Sequence, residues 1–308
     1  MIVAFGNPVY DYIKTPFITT GERVLSGGST NGCLALTRLG HTTALVGRVG
    51  DDYHARFVAD AGRYGITPFV QRCEQTGGFS LIYDARGDRT LDVLGVAAPI
   101  EEVPAVTADA EVVVVGPILQ ETPRHLIERI HAEGRPIFLD PQGLMRRIGP
   151  AGRIEHFLPD DFAAIARLCQ VVKANEVEAR IITGVDPRAD GPEAARRLKA
   201  LGCAIAIVTL AEAGSLIHDG RRLYVIPPYA TEARDPTGAG DTYMAGFIDA
   251  YLRDPDDLYV AGCYGSATAS IWIEHTGPDA PIAPMAVERR AATLIERRSD
   301  ESIERWNV

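Results

Sequence analysis

The sequence has no excess of basic charge, no long apolar run, no paired cysteines and few aromatic residues, and each lack removes a class of function. Among its 308 residues, 31 Lys and Arg stand against 41 Asp and Glu, for a net charge of -10. A chain without a basic cluster gains little from the counterion release that drives binding to a phosphate backbone, so no nucleic-acid partner is expected. The apolar start, Met1 to Phe5, breaks at Gly6-Asn7-Pro8 and carries no basic leader. It suits neither a signal peptide nor a membrane span of roughly 20 residues, so no membrane partner is expected and the cytoplasm is the expected compartment. Cys33, Cys73, Cys169, Cys203 and Cys263 are scattered, odd in number and free of any CxxC pair. That excludes a disulfide framework and a zinc cluster of the usual spacing. The histidines form no HExxH, and His125 and His131 stand six apart, off a common helical face.

What is present is ordinary globular material, 46% hydrophobic and 23% charged, with 30 Gly and 20 Pro. From about residue 105, short β-branched runs alternate with amphipathic stretches. Ala110 to Val115, Pro136 to Asp140, Val171-Val172 and Ala204 to Leu210 read as strands. Pro123 to Glu133, Phe162 to Leu168, Glu176 to Ile182 and Pro192 to Leu201 read as the helices between them. Strand runs that are apolar throughout and separated by helices imply a mostly parallel sheet covered on both faces, a doubly wound α/β fold. A hairpin turning at Asp219-Gly220 follows, then helices over Thr237 to Leu252 and Leu258 to Ile273, and an Arg/Glu-rich surface helix over Ala286 to Trp306. No linker or repeat divides the chain, so residues 1–308 are expected to form a single domain. Two stretches, about 10–26 and 69–96, break the rhythm by alternating polar with apolar residues between turn signals such as Thr76-Gly77-Gly78 and Ala85-Arg86-Gly87-Asp88. They read as antiparallel strands with one solvated face, a small lid standing apart from the body.

The sharpest chemical signal is Asp235-Pro236-Thr237-Gly238-Ala239-Gly240-Asp241-Thr242, leading into a helix. Small residues at 238 to 240 let backbone N–H groups approach an anion at a helix N-terminus, where unpaired donors and the positive dipole end favour phosphate. A carboxylate at Asp241 would repel a resting phosphate, but it suits a base acting on a hydroxyl beside a phosphoryl group in transit. Asp241 as a plain helix cap is the competing explanation. Neither a GxxxxGK[ST] loop nor GxGxxG is present, which removes the P-loop and dinucleotide-binding alternatives.

Several motifs in order resemble the PfkB, or ribokinase-like, carbohydrate kinases. They are Gly27-Gly28-Ser29-Thr30-Asn31, Gly47-Arg48-Val49-Gly50-Asp51-Asp52, Asn175-Glu176-Val177-Glu178, Val208 to Gly214 and Asp235 to Asp241. The resemblance implies a ribokinase-like fold and an ATP- and Mg²⁺-dependent transfer of the γ-phosphate to a hydroxyl of a small sugar, polyol or nucleoside. Asp241 would be the general base, with the amides of Gly238, Ala239 and Gly240 as the anion hole. Asp11, Gly27, Gly28 and Asn31 would face the acceptor. Lys173, Asn175, Thr209, Gly214 and Thr237 would serve the nucleotide. Glu178 and Asn175 would organise Mg²⁺ partly through water, and Asp235 marks a loop that in such kinases holds a K⁺-like cation. Lid sheets with a free edge also suit pairing into a homodimer.

Gly116 to Glu121 and Asp140 to Arg146 resemble a branch that includes inositol and cytidine kinases, which would place Gln142 and Arg146 at the acceptor or the transferring phosphoryl group. The chain departs from the usual pattern with Ala211 where glycine is common and with Pro236 inside the signature. Two alternatives stay open: a nucleoside kinase of the cytidine type, with Phe79 or Tyr83 as a shelf for the base, and a non-catalytic nucleotide-binding relative.

Overall fold

The computed structural model describes residues 1–84, 89–298 and 303–305. The chain opens with β1 (Ile2–Phe5), leaves for β2 (Val9–Lys14) and β3 (Val24–Ser26), and returns through α1 (Gly28–Arg38) to β4 (Thr43–Gly50), α2 (His54–Tyr64) and β5 (Ile66–Cys73). A second excursion makes β6 (Gly78–Tyr83) and β7 (Arg89–Gly95), before β8 (Val112–Val115), α3 (Arg124–Ala132) and β9 (Ile137–Leu139). A short hairpin, β10 (Arg146–Ile148) and β11 (Ile154–His156), precedes α4 (Phe162–Ala166), β12 (Val171–Ala174), α5 (Glu176–Thr183), α6 (Gly191–Ala200) and β13 (Ile205–Thr209). The remainder is β14 (Ser215–His218), β15 (Arg222–Ile226), α7 (Ala239–Arg253), α8 (Leu258–Trp272), α9 (Pro284–Ile295) and β16 (Ile303–Arg305).

One large sheet runs β16-β15-β14-β13-β12-β9-β8-β1-β4-β5. It is parallel from β13 to β5 and antiparallel from β13 to β16. Alternate side chains of its strands feed two different cores. In β1, Ile2 and Ala4 join α1, α7, α8 and α9 on one face, whereas Val3 and Phe5 join α3, α4 and α6 on the other. Burial on both faces is why β1, β8 and β9 carry apolar residues at every position. Helices α7 and α8 lie close because glycine permits it: a Cβ added at Gly246 would sit 2.3 Å from Thr268 Oγ1 and 2.4 Å from the Tyr264 carbonyl.

The second sheet, β3-β2-β6-β7, stands apart from the first. Its outer pairs, β2 with β3 and β6 with β7, are antiparallel, and a parallel pairing of β2 with β6 joins them. Its inward residues Val9, Ile13, Phe79, Leu81 and Tyr83 form a third apolar cluster with Ile118.

Two expectations need correction. Residues 69 to 73 belong to β5, a parallel edge strand of the large sheet, and not to the small one. Much of β5 is exposed, as befits an edge, so its sequence alternates like that of a half-solvated strand. The C-terminal helix stops at Ile295, and Ile303–Arg305 instead pairs antiparallel with β15. The turn at Ala85 to Asp88 lies outside the described residues.

The α7–α8 contact makes a direct prediction. Gly246→Ala is expected to destabilise the protein by about 1 to 3 kcal/mol despite alanine's better helix propensity, because the methyl group would meet a backbone carbonyl. Urea denaturation followed by circular dichroism would show a lower midpoint with an unchanged slope.

Candidate active site

The order of strands reverses beside β1: β4 and β5 extend the sheet one way, β8, β9 and β12 the other. Open α/β sheets bind ligands beyond the carboxyl ends of their strands at such a point. The loops found there are Gly6-Asn7 after β1, Gly116 after β8, Asp140 after β9 and Asn175 after β12.

Helix α7 aims its N-terminus at the same place. Its N-cap, Gly238, has φ 82°, a left-handed conformation in which a side chain is strained. A Cβ there would also lie 2.8 Å from Asn31 Nδ2 and from Trp272 Nε1. Behind the cap, Trp272 Nε1 donates to the Thr237 carbonyl at 2.7 Å, and the Thr237 amide donates to the buried Asp235 carboxylate at 2.9 Å. The amides of Gly238, Gly240 and Asp241 make no hydrogen bond among the described residues, which leaves them available to a ligand. The Ala239 amide departs from the expected anion hole, because it donates to the Pro236 carbonyl at 3.1 Å and closes the turn before the helix.

Asp241 is tied to α1 by Asn31, whose Nδ2 donates to Oδ2 at 2.9 Å. Gly28 packs beside it: a Cβ at that position would sit 2.8 Å from the Gly116 carbonyl and 3.5 Å from Asp241 Oδ1. Gly27, with φ 120°, sits at the turn into α1. Burial, and then the charge of Asp140, push the Asp241 carboxyl up to about 6, against the Asn31 hydrogen bond and the positive charges of Lys173 and Arg146.

Lys173 is fully enclosed, its Nζ 2.7 Å from Asp140 Oδ2. Burial works against its ammonium form, but Asp140, Glu178 and Asp241 outweigh burial and hold its pKa above the ordinary lysine value. A Cβ at Gly240 would lie 2.7 Å from this Nζ, so the cation stands at the first turn of α7. Glu178 and Asn175 form a capping box on α5: Asn175 Oδ1 accepts from the Glu178 amide, and Glu178 accepts from the Asn175 amide and Nδ2. Burial and the neighbouring Asp140 push the Glu178 carboxyl up to about 7. Arg146, buried at the start of β10, is close enough for its charge to act on both Glu178 and Asp241.

Other expected residues lie further out. Asp11 is buried in β2, and its Oδ1 accepts from the Phe79 amide at 2.8 Å, stitching β2 to β6. The Gln142 amide donates to Asp140 at 3.2 Å. Thr209 ends β13, and Gly214, with φ 87°, passes so close to β15 that a Cβ would fall 2.1 Å from the Ile226 carbonyl. Ala211 has φ 45°, which accounts for glycine being common at its place. Tyr83 offers no open shelf; it is buried in the third cluster and bonds to Thr237. Phe79 lines a cavity between the small sheet and the loops after β1 and β8, together with Asn7, Val9, Ile118 and Glu121.

Two participants escaped the sequence reading. Asp140 holds Lys173, although its only signal is a carboxylate ending the run Pro136 to Asp140. Glu121, buried, accepts the amides of Asn7, Ile118 and Leu119 at 2.7 to 3.0 Å and so joins the loops after β1 and β8. Among the described residues, no group of three or more His, Cys, Asp or Glu is placed to enclose a metal ion, and no helix is long and apolar enough to cross a membrane.

A model of the pfkB family of carbohydrate kinases matches residues 19–285. The chain is 29% identical over 266 residues to a cytidine kinase of Thermococcus kodakarensis, covering 82% of this chain and 88% of that one. It is 28% identical over 307 residues to a nucleoside kinase of Methanothermobacter thermautotrophicus, covering 90% of each. A pyrophosphate-dependent kinase of the ribokinase family, solved with a pyrophosphate analogue and myo-inositol, superposes with a TM-score of 0.79 at 20% identity, over 94% of this chain and 100% of that one.

The buried carboxyl of Asp241 makes a thermodynamic prediction. Its folded pKa of about 6 lies above the ordinary 3.8, so folding disfavours the ionised form; the penalty is absent at low pH, develops between those values and is complete above them. Asp241→Asn is therefore expected to stabilise the protein by roughly 1 to 3 kcal/mol near pH 7.5 and much less near pH 4. Urea denaturation at both pH values measures the difference, and a variant less stable than wild type at neutral pH would contradict it.

Proposed function

Because the chain belongs to the pfkB family of carbohydrate kinases, and is therefore a phosphotransferase acting on a hydroxyl of a sugar or nucleoside, we propose that Asp241 is the base of that transfer. The observation that carries this reading is a single carboxylate at the N-terminus of α7, fixed by Asn31 and lying within the reach of the Lys173 charge. A pKa of about 6 leaves it ionised at neutral pH and still basic enough to accept a proton in the transition state.

The acceptor hydroxyl gives its proton to Asp241 as its oxygen attacks the γ-phosphorus of ATP in line. The bond from that phosphorus to the β-bridging oxygen breaks, and ADP leaves. The amides of Gly238 and Gly240, with that of Asp241, face the charge that builds on the phosphoryl oxygens. Lys173 and Arg146 add positive charge on the same side, and Arg146 suits the phosphoryl group better than the acceptor because it acts on Asp241 and Glu178 together. Thr209 and Gly214 would border the nucleotide, and Asp235 would serve a monovalent cation.

The donor set also suits Mg²⁺. Asp140, Glu178 and Asp241 outnumber the cations Lys173 and Arg146, and both Glu178 oxygens already serve Asn175, which fits a metal reached largely through its own water. Bound there by Glu178 and Asn175, it would neutralise charge on the donor phosphates. The small sheet would act as a lid that keeps water from the phosphoryl group, with Asp11, Gly27, Gly28 and Asn31 towards the acceptor.

A nucleoside acceptor is the more specific reading, supported by the names of the two archaeal relatives. The test is release of ADP from ATP and Mg²⁺ with a panel of nucleosides, pentoses, hexoses and inositols, with pyrophosphate as a rival donor and K⁺ varied. At least one acceptor should stimulate release, kcat/KM should rise with pH through an apparent pKa near 6, and Asp241→Asn should lower kcat by about 10² to 10⁴. An Asn variant with full turnover would refute the role of Asp241.

A further inference from the structure

Thr237 stands beside the cap of α7 and is held from three directions. Trp272 of α8 bonds to its carbonyl at 2.7 Å, Asp235 accepts from its amide at 2.9 Å, and the hydroxyl of Tyr83 lies 2.9 Å from its Oγ1. The first two contacts come from the body. The third comes from the small sheet, from a residue 154 positions away in the chain. Within β6, residues 79, 81 and 83 share one face, since strand side chains alternate, and all three are buried while Ile82 faces out. Phe79 at one end of that face lines the cavity under the small sheet, and Tyr83 at the other end meets Thr237. A single strand thus touches both the cavity and the loop that presents Gly238 and Gly240.

We propose that Tyr83 is a positioning residue: through Thr237 it makes the placement of the anion-hole amides depend on the docking of the small sheet against the body. Oxyanion-type donors are effective only within a few tenths of an ångström of the charge they serve. The cap itself is a glycine in a left-handed conformation, with no side chain to steady it, so the contact on its neighbour carries the constraint. The docked sheet then favours transfer, whereas the undocked sheet leaves ATP with a poorly ordered anion hole and slow hydrolysis.

This inference rests on reading the amides of Gly238, Gly240 and Asp241 as the anion hole. The experiment compares wild type, Tyr83→Phe, Thr237→Val, Thr237→Ser and the Tyr83→Phe/Thr237→Val double variant, with ATP and the acceptor that gives the largest rate in the panel above. Each of Tyr83→Phe and Thr237→Val should lower kcat about threefold to tenfold, the scale of one side-chain hydrogen bond, with acceptor KM changed by less than about twofold. Thr237→Ser, which retains the hydroxyl that meets Tyr83, should lower kcat less than Thr237→Val does. The double variant should be no slower than the slower single one, and the ratio of acceptor-dependent to acceptor-independent ADP release should fall in every slowed variant. Losses that multiply, a change confined to acceptor KM or to thermal stability, or unchanged rates would each overturn the latch. A wild type that no acceptor stimulates would instead refute the proposed catalytic reading, so the two failures are told apart.

Discussion

The contact on which the site depends is the buried pair of Lys173 and Asp140. An ammonium ion cannot remain charged inside an apolar sheet unless a carboxylate stands against it, and Asp140 does so at 2.7 Å. The pair fixes a positive charge beneath the first turn of α7, and Gly240 has no side chain because that charge occupies the space. The same Asp140 repels Asp241 and Glu178, so the carboxylate that steadies the cation also keeps its acidic neighbours easily protonated. Asp241 owes its basicity first to its burial and then to the charge of Asp140.

The constraint extends to the backbone. Where the sheet order reverses, the loops after β1, β8, β9 and β12 must converge closely, and there a side chain would collide. A Cβ at Gly6 would lie 2.5 Å from the Gly116 carbonyl, and one at Gly143 would lie 2.3 Å from the backbone of Pro117. Glu121 satisfies the amides that convergence would otherwise leave buried and unpaired.

Much of this was legible in the sequence, for identifiable reasons. The apolar runs at 112 to 115 and 205 to 208 stood out because burial on both faces leaves no polar position in them. The loop from Asp235 to Asp241 stood out because the residues around Gly238 leave few alternatives: glycine at a left-handed cap, and a helix beginning immediately after. The edge strand Ile66–Cys73 was misassigned because one solvated side imitates a detached antiparallel strand. The C-terminal helix was drawn too long because Arg and Glu continue past Ile295 after the apolar stripe has ended. Asp140 and Glu121 were illegible as site residues for another reason: what they touch is set by tertiary approach, across 33 residues to Lys173 and 114 to Asn7.

The position of β1 bears on how the molecule assembles. It is made before both of its neighbours in the sheet, β4 on one side and β8 on the other. During synthesis one of its edges waits for Thr43–Gly50 and the other for Val112–Val115. An all-apolar strand with an open edge is prone to pair with other chains. Helix α1 and the small-sheet strands, which emerge in that interval, are the parts of the nascent chain available to shield it. Helix α1 and the small sheet, which border the candidate site, are thus needed by the fold before the large sheet is complete.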